Sequence, residues 1–217
     1  MGKTIVIGDI HGCYDELLEV LQRVGFAPED RVIAVGDLTV KGPKSREVLE
    51  LFIQDSRFSS VIGNHDLALV RYWKGETQKL KPSQELAFDE LVDNQHLLEF
   101  LATLPAYLEL ESHVVVHAGI RPGVPLNRQS LADLVELRTL GPDRTSREGT
   151  PWYDLYNDKK VALFGHWPSS SPRIGRQAIG LDTGCVYGYQ LTAYVLEDDQ
   201  FTEVNAHAAY DTPPPKK

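Results

Sequence analysis

Long apolar runs are missing from this 217-residue chain. No stretch approaches the roughly 18 consecutive apolar residues that a membrane span requires, and the N-terminus enters a strand at Lys3–Gly8 with no apolar leader or cleavage pattern. Both absences point away from a membrane and towards the cytoplasm. Cysteine is scarce as well. Cys13 and Cys185 are the only two and lie far apart, which allows one bridge at most; two free thiols in a reducing compartment are the expectation. Basic residues are outnumbered, 22 Lys and Arg against 31 Asp and Glu, for a formal net charge of -9 at pH 7. That balance argues against stable binding of nucleic acid, whose backbone calls for a basic face. It leaves room for a small phosphorylated substrate, because bound cations set the local sign of a site.

What the chain does contain is ordinary for a globular protein: 42% hydrophobic and 24% charged residues. The length suits a single domain, expected over residues 1–206. Residues 207–217, with three consecutive prolines and two terminal lysines, are expected to form a flexible tail. Short β-branched runs at Thr4–Ile7, Val32–Val35, Ser60–Ile62, Val114–Val116 and Val161–Phe164 suit strands buried on both faces. Helical spacing appears over Tyr14–Val24, Ser45–Ile53 and Ser83–Leu101. Gln190–Leu196 and Gln200–Ala206 read as an antiparallel pair joined by Glu197-Asp198-Asp199. An alternating first half followed by this hairpin predicts an α/β fold in which two mixed sheets pack face to face between helices. Gly141–Gly149, polar and charged, is the expected mobile loop beside the site.

The chemistry is concentrated where those strands end. Gly8-Asp9-Ile10-His11-Gly12, Gly36-Asp37, Gly63-Asn64-His65-Asp66, His117-Ala118-Gly119 and Phe164-Gly165-His166 each place metal-type donors directly after an apolar run. Glycines in these clusters allow the backbone to turn sharply and approach a site closely. Loops leaving one edge of a sheet converge on a single crevice, so donors distant in sequence can share ions. Asp9, His11 and Asp37 suit one divalent cation; Asn64, His117 and His166 complete a second, with the Asp37 carboxylate expected to bridge them. Two cations about 3.5–4 Å apart can activate a water as hydroxide for attack on a phosphoryl group. Taken singly, Asp9 or Asp37 reads as a polar turn residue, Asn64 as a turn former and His117 as a satisfied strand-end histidine; five clusters in this order favour the ligand set. His65, beside Asn64 but outside that set, is the candidate general acid. Lys41 and Arg138 are candidate phosphate clamps, with Arg121, Arg144 and Arg147 competing with Arg138. His96, His113 and His207 receive no role.

Seven motifs, GDIHGC at 8–13, GDL at 36–38, KGP at 41–43, GNHDLAL at 63–69, HAGIRP at 117–122, FGHWPS at 164–169 and LDTGCVYGYQLTA at 181–193, carry a resemblance. The chain resembles the calcineurin-like metallophosphoesterases of the phosphoprotein-phosphatase superfamily from about Ile5 to Leu196, most of all the symmetrical diadenosine tetraphosphatases and ApaH-like phosphatases. The resemblance implies two divalent ions, usually manganese, with cobalt, iron or zinc suited to the same ligands. It also implies His65 as general acid and a basic phosphate contact at Lys41. Protein phosphatases of this superfamily carry an aspartate, then an arginine, where this chain has Val40 and Lys41, and that aspartate helps keep the catalytic histidine protonated. Expelling a nucleotide phosphate needs less proton assistance than expelling an alkoxide. Phosphoanhydride hydrolysis, with dinucleoside polyphosphates as partners, is therefore the expected activity. A phosphoprotein phosphatase acting on serine, threonine or tyrosine phosphate is the alternative, and a non-catalytic nucleotide-binding protein a distant one. The chain also looks shorter than the symmetrical enzymes, as though part of their C-terminal region were missing.

Overall fold

The computed structural model describes residues 2–213. Its elements, in chain order, are β1 (Thr4–Ile7), α1 (Tyr14–Arg23), β2 (Arg31–Ala34), α2 (Ser45–Gln54), β3 (Phe58–Ser60), α3 (Asn64–Trp73), α4 (Pro82–Leu91), α5 (Gln95–Thr103), β4 (Tyr107–Glu109) and β5 (His113–Val116). After a 3₁₀ turn at Leu126–Arg128 follow α6 (Leu131–Glu136), α7 (Trp152–Leu155), β6 (Val161–Phe164), β7 (Arg173–Ile174), β8 (Ala178–Gly180), β9 (Gln190–Val195) and β10 (Gln200–Asn205).

The strands form two five-stranded sheets, ordered β10-β9-β1-β2-β3 and β4-β5-β6-β8-β7. Each contains a parallel run, β1-β2-β3 reaching the edge of one sheet and β5-β6-β8 in the middle of the other, completed by antiparallel strands. The layering follows from the strand pleat, which sends alternate side chains to opposite faces. Ile5 and Ile7 of β1, with Val32 and Ala34 of β2, join a core shared with α1, α2, α3, α4 and α5. Val6, Ile33 and Val35 point the other way and meet Val115 and Leu163 of the second sheet. Val114, Val116, Ala162 and Phe164 face a third core containing Trp152 and Leu134. Strands apolar on both faces are thus strands between a helix layer and a second sheet, which is the predicted sandwich.

Three expectations differ from what is found. The helical run at 83–101 is two helices, because Asp93 and Asn94 break it; short polar side chains of this kind compete for backbone hydrogen bonds. Leu97, Leu98 and Leu101 then reach the first core from α5. The chain from His207 to Asp211 is tied down rather than frayed. The His207 N–H donates to Glu16 Oε1 at 2.8 Å, as does the Tyr210 hydroxyl at 2.8 Å, and Ala209 bridges to Tyr187. The remainder of the expected tail, residues 214–217, lies outside the described residues. Gly141–Gly149, expected to be mobile, is fastened back on 138–140 by bonds such as Arg138 N–H to the Arg144 carbonyl at 2.7 Å.

Candidate metal centre and active site

The C-terminal ends of β1, β2, β3, β5, β6 and β8 open on one crevice. Tight backbone turns there carry the candidate side chains, and among the described residues five of the six non-glycine residues with positive φ fall in it: His11 (47°), Asp37 (49°), Val40 (73°), Lys41 (73°) and His166 (68°). Conformations of this kind are uncommon for residues with a Cβ and collect at functional sites. The loops lock to one another, with the His11 N–H donating to the Asp37 carbonyl at 2.7 Å and the Gly12 N–H to that of Leu38 at 2.9 Å. Glycine is required where loops touch: a Cβ on Gly165 would overlap the Asp9 carboxylate, and one on Gly63 the carboxylate of Asp37.

All six residues predicted as ligands converge. His11 Nδ1 lies 2.9 Å from the Thr39 carbonyl and His117 Nδ1 2.9 Å from that of Val35. A carbonyl only accepts, so each Nδ1 carries the proton and each Nε2 presents a lone pair. Asp37 Oδ2 sits between these two atoms, 3.5 Å from His11 Nε2 and 3.4 Å from His117 Nε2. Asn64 Oδ1 lies 3.0 Å from His117 Nε2 and 2.8 Å from His166 Nδ1, while His166 Nε2 is buried without a partner. Asp9 accepts the His166 N–H at 3.1 Å through both oxygens.

Lone pairs facing lone pairs in a buried site are unfavourable unless cations lie between them. Burial pushes the Asp37 carboxyl up to about 6 and the His117 imidazole down to about 4. Asp9 is held well above the carboxylate range by burial, then by the charges of Asp182 and Asp37. His11 and His166 are driven towards the neutral form, chiefly by burial. Lys41 Nζ already places a positive charge 3.0 Å from His11 Nε2. The donor set therefore fits divalent cations, with oxygen and imidazole ligands of the type that manganese, iron, cobalt or zinc accept.

His65 flanks the centre. Its N–H donates to Asp37 Oδ1 at 2.9 Å, and its ring meets that of His11 edge-on, with centroids 5.2 Å apart. Its imidazole is held well below the usual histidine range by burial, then by Lys41 and Lys81. The crevice is a cavity of about 520 Å³ rimmed by Lys41, Lys81, Arg138, Arg147 and Tyr187. Among the competing arginines, Arg121 and Arg144 pair with Asp133 instead, at 2.8 and 3.6 Å. Arg138 reaches the crevice, with one guanidinium N–H on the His166 carbonyl at 3.3 Å and a buried Nε that has no partner.

Three residues of this site received no role in the sequence reading. Asp182, just past β8, is a further buried carboxylate in the cavity wall, raised to about 6 by burial. The run Ala178-Ile179-Gly180-Leu181 before it is the same apolar strand-then-turn signal that marked the other clusters. Asp66 is completely buried and accepts from Leu38, Thr39 and Gly63. Gln84, on α4, faces His65; nothing in its sequence context announces it. Cys13 and Cys185 are free and buried, and their sulfurs lie with a Glu16 oxygen within 4.8 Å of one another.

Residues 2–203 match the calcineurin-like phosphoesterase family. The chain is 33% identical to the asymmetrical bis(5'-nucleosyl)-tetraphosphatase PrpE of Halalkalibacterium halodurans, over 92% of each protein. It is 31% identical to the symmetrical bis(5'-nucleosyl)-tetraphosphatase of Vibrio parahaemolyticus, over 92% of this chain and 98% of that one. The alignment with the Vibrio enzyme runs over 263 positions against 217 residues here, so this chain is the shorter of the two. A crystal structure of a protein classed provisionally as a diadenosine tetraphosphatase superposes with a TM-score of 0.81, at 31% identity over 94% of each chain.

Proposed function

This chain belongs to the calcineurin-like phosphoesterase family and is a metal-dependent hydrolase; from that premise we propose that it splits phosphoanhydrides, with dinucleoside polyphosphates such as diadenosine tetraphosphate as its substrates. The observation that carries the two-metal reading is the place of Asp37 Oδ2, 3.5 and 3.4 Å from the lone-pair nitrogens of two imidazoles that belong to different halves of the site. Asp9, His11 and Asp37 would hold one cation, and Asp37, Asn64, His117 and His166 the other. Manganese is the proposed metal. When bound, the pair would supply an activated water and neutralise charge on the phosphoryl oxygens.

The protein's own groups do the rest. Lys41 and Arg138 draw the phosphate chain in and orient it, Lys41 as a point charge and Arg138 through a planar fork. Arg147 and Lys81, on the same rim, extend that positive lining along the chain. His65 serves the departing oxygen. Burial and the cations around it favour a neutral ring, which suits a leaving group that needs little proton assistance. Nucleotide phosphates are such leaving groups, whereas the alkoxide of phosphoserine is not.

A panel of diadenosine tetraphosphate, a phosphoserine peptide and an alkyl phosphate monoester, assayed with added Mn²⁺ and with chelator, tests this reading. Metal-dependent cleavage with the highest kcat/KM on the dinucleotide is the expected result. Separating the nucleotide products distinguishes symmetrical cleavage into two ADP from asymmetrical cleavage into ATP and AMP. Faster hydrolysis of the peptide would move the assignment to the phosphoprotein phosphatases.

A further inference from the structure

α4 brings Gln84 to the centre. This is the third residue of the helix, buried, with its side chain folded back over the helix start. Its Oε1 accepts the Lys81 N–H at 2.9 Å, the half of a capping box in which the third residue satisfies the cap's backbone donor. That bond settles the orientation of the amide. With the oxygen committed to a backbone N–H, the nitrogen is the end that turns to His65, and Nε2 lies 3.4 Å from ring Nδ1. An amide nitrogen can only donate. Nδ1 must then offer its lone pair, and a neutral ring carries its proton on Nε2, the nitrogen left for the cavity.

We propose that Gln84 is a positioning residue that fixes His65 as the neutral Nε2–H tautomer, so that His65 assists the leaving group by donating a hydrogen bond rather than by surrendering a proton. The proposal rests on the reading above that His65 serves the departing oxygen. In the step it describes, a bond forms between phosphorus and the oxygen of the attacking water, whose proton passes to solvent, while the bond between phosphorus and the bridging oxygen breaks and its electron pair leaves with the nucleotide phosphate. The Nε2–H bond stays intact and its hydrogen bond to that oxygen strengthens as charge develops. A carboxylate in Gln84's place would accept instead, and would demand a proton on Nδ1. Val40 cannot supply that partner, because its side chain packs into the core between the first sheet and its helices. The group that meets His65 is thus a neutral donor.

The test uses the full chain, labelled with ¹⁵N-histidine, metal-free and loaded with diamagnetic Zn²⁺. Two-bond ¹H–¹⁵N correlations distinguish the tautomers, and His65→Asn assigns the signal. We expect the Nε2–H pattern for His65 in both states. Gln84→Glu keeps an acceptor for the Lys81 N–H but turns the donor into an acceptor, so His65 should gain a proton on Nδ1. The ratio of alkyl monoester to diadenosine tetraphosphate turnover should then rise about tenfold, within the range of a general acid gained. Gln84→Met removes the donor alone; the ring should show mixed tautomers and kcat on the dinucleotide should fall by about tenfold with KM nearly unchanged. If the methionine variant does not fold, the glutamate variant, which keeps the cap, still decides. An Nδ1–H or doubly protonated ring in the parent protein, or an unchanged tautomer in Gln84→Glu, overturns the proposal. Absence of dinucleotide hydrolysis with the expected tautomer would refute the substrate assignment and leave the role of Gln84 standing.

Discussion

Replacing Asp66 measures what holds the Asp37 loop in place. The Asp66 side chain is fully buried. Oδ1 accepts the Thr39 N–H at 3.1 Å and the Thr39 hydroxyl at 2.7 Å, and Oδ2 accepts the N–H groups of Leu38 and Gly63, each at 3.2 Å. In Asp66→Asn the remaining oxygen can keep the Thr39 pair, but the amide nitrogen faces two N–H donors. Leaving two buried donors unpaired costs about 2 kcal/mol each. Against this stands the charge: burial raises Asp66 from 3.8 to about 6, worth about 3 kcal/mol at neutral pH at ~1.4 kcal/mol per unit, and asparagine is spared it. The two terms nearly cancel, so Asp66→Asn should be destabilised by no more than about 1 kcal/mol. In Asp66→Leu three backbone donors are orphaned, and the balance grows to about 3 kcal/mol. Urea unfolding of the chelator-treated chain measures both. The sign of the pH dependence is fixed as well. A carboxyl raised on folding stabilises at low pH and loses that contribution as pH climbs from about 4 through about 6, so the deficit of either variant should shrink over that window. A leucine variant as stable as the parent at pH 7.5 would show that these hydrogen bonds do not hold the loop.

Asp37→Ala should abolish turnover and lower bound metal below two ions per chain; two retained ions with near-normal activity would sink the bridging assignment. Gly165→Ala drives a methyl group into the Asp9 carboxylate and Val35, and should weaken metal binding by about 10- to 100-fold, read by competition with a chromogenic chelator; unchanged affinity would contradict the contact. His207 is raised above the usual histidine value by its hydrogen bond to Glu19, then by the charge of Glu16. Its anchoring of the C-terminal segment is therefore complete below about pH 6.5 and is lost as pH rises through the raised value. Limited proteolysis between 207 and 213 should be faster at pH 8.5 than at pH 6, and His207→Ala should cleave at the high-pH rate at both.

The convergence of the proposed ligands was legible because its geometry is local. An apolar strand, a glycine turn and a donor recur, and the parallel run of each sheet puts every such donor on one edge. Asp182 obeys the same rule, at the end of the apolar run Ala178-Ile179-Gly180-Leu181, yet was given no role. Gln84 was beyond reach for a different reason: its role depends on α4 packing beside α3, a contact between helices that no spacing encodes. The break at Asp93-Asn94 separates α4 from α5, and apolar periodicity ran straight through it. Arg138 could not be separated from its rivals in sequence. Asp133 engages Arg121 and Arg144, which leaves Arg138 and Arg147 on the crevice, and it lies on α6, a short helix that the sequence reading did not predict.

The strained residues and the buried carboxylate belong to one device. Between Asp37, at φ 49°, and Val40 and Lys41, both at 73°, lie only Leu38 and Thr39, and these two are the residues whose backbone Asp66 grips. A left-handed conformation costs about 1–2 kcal/mol per residue, and is rarer still for a β-branched side chain such as Val40. Three such residues in one five-residue loop would relax without a tether. The tether begins on the first turn of α3, the helix that also carries Asn64 and His65. Any shift of α3 is thereby transmitted to Asp37, and Asp37 lies between the two halves of the metal centre. Asp66 thus ties the turn that carries Asp37 to the helix that carries Asn64 and His65, so a substitution that cuts this tether should disturb both proposed ligands and His65 together.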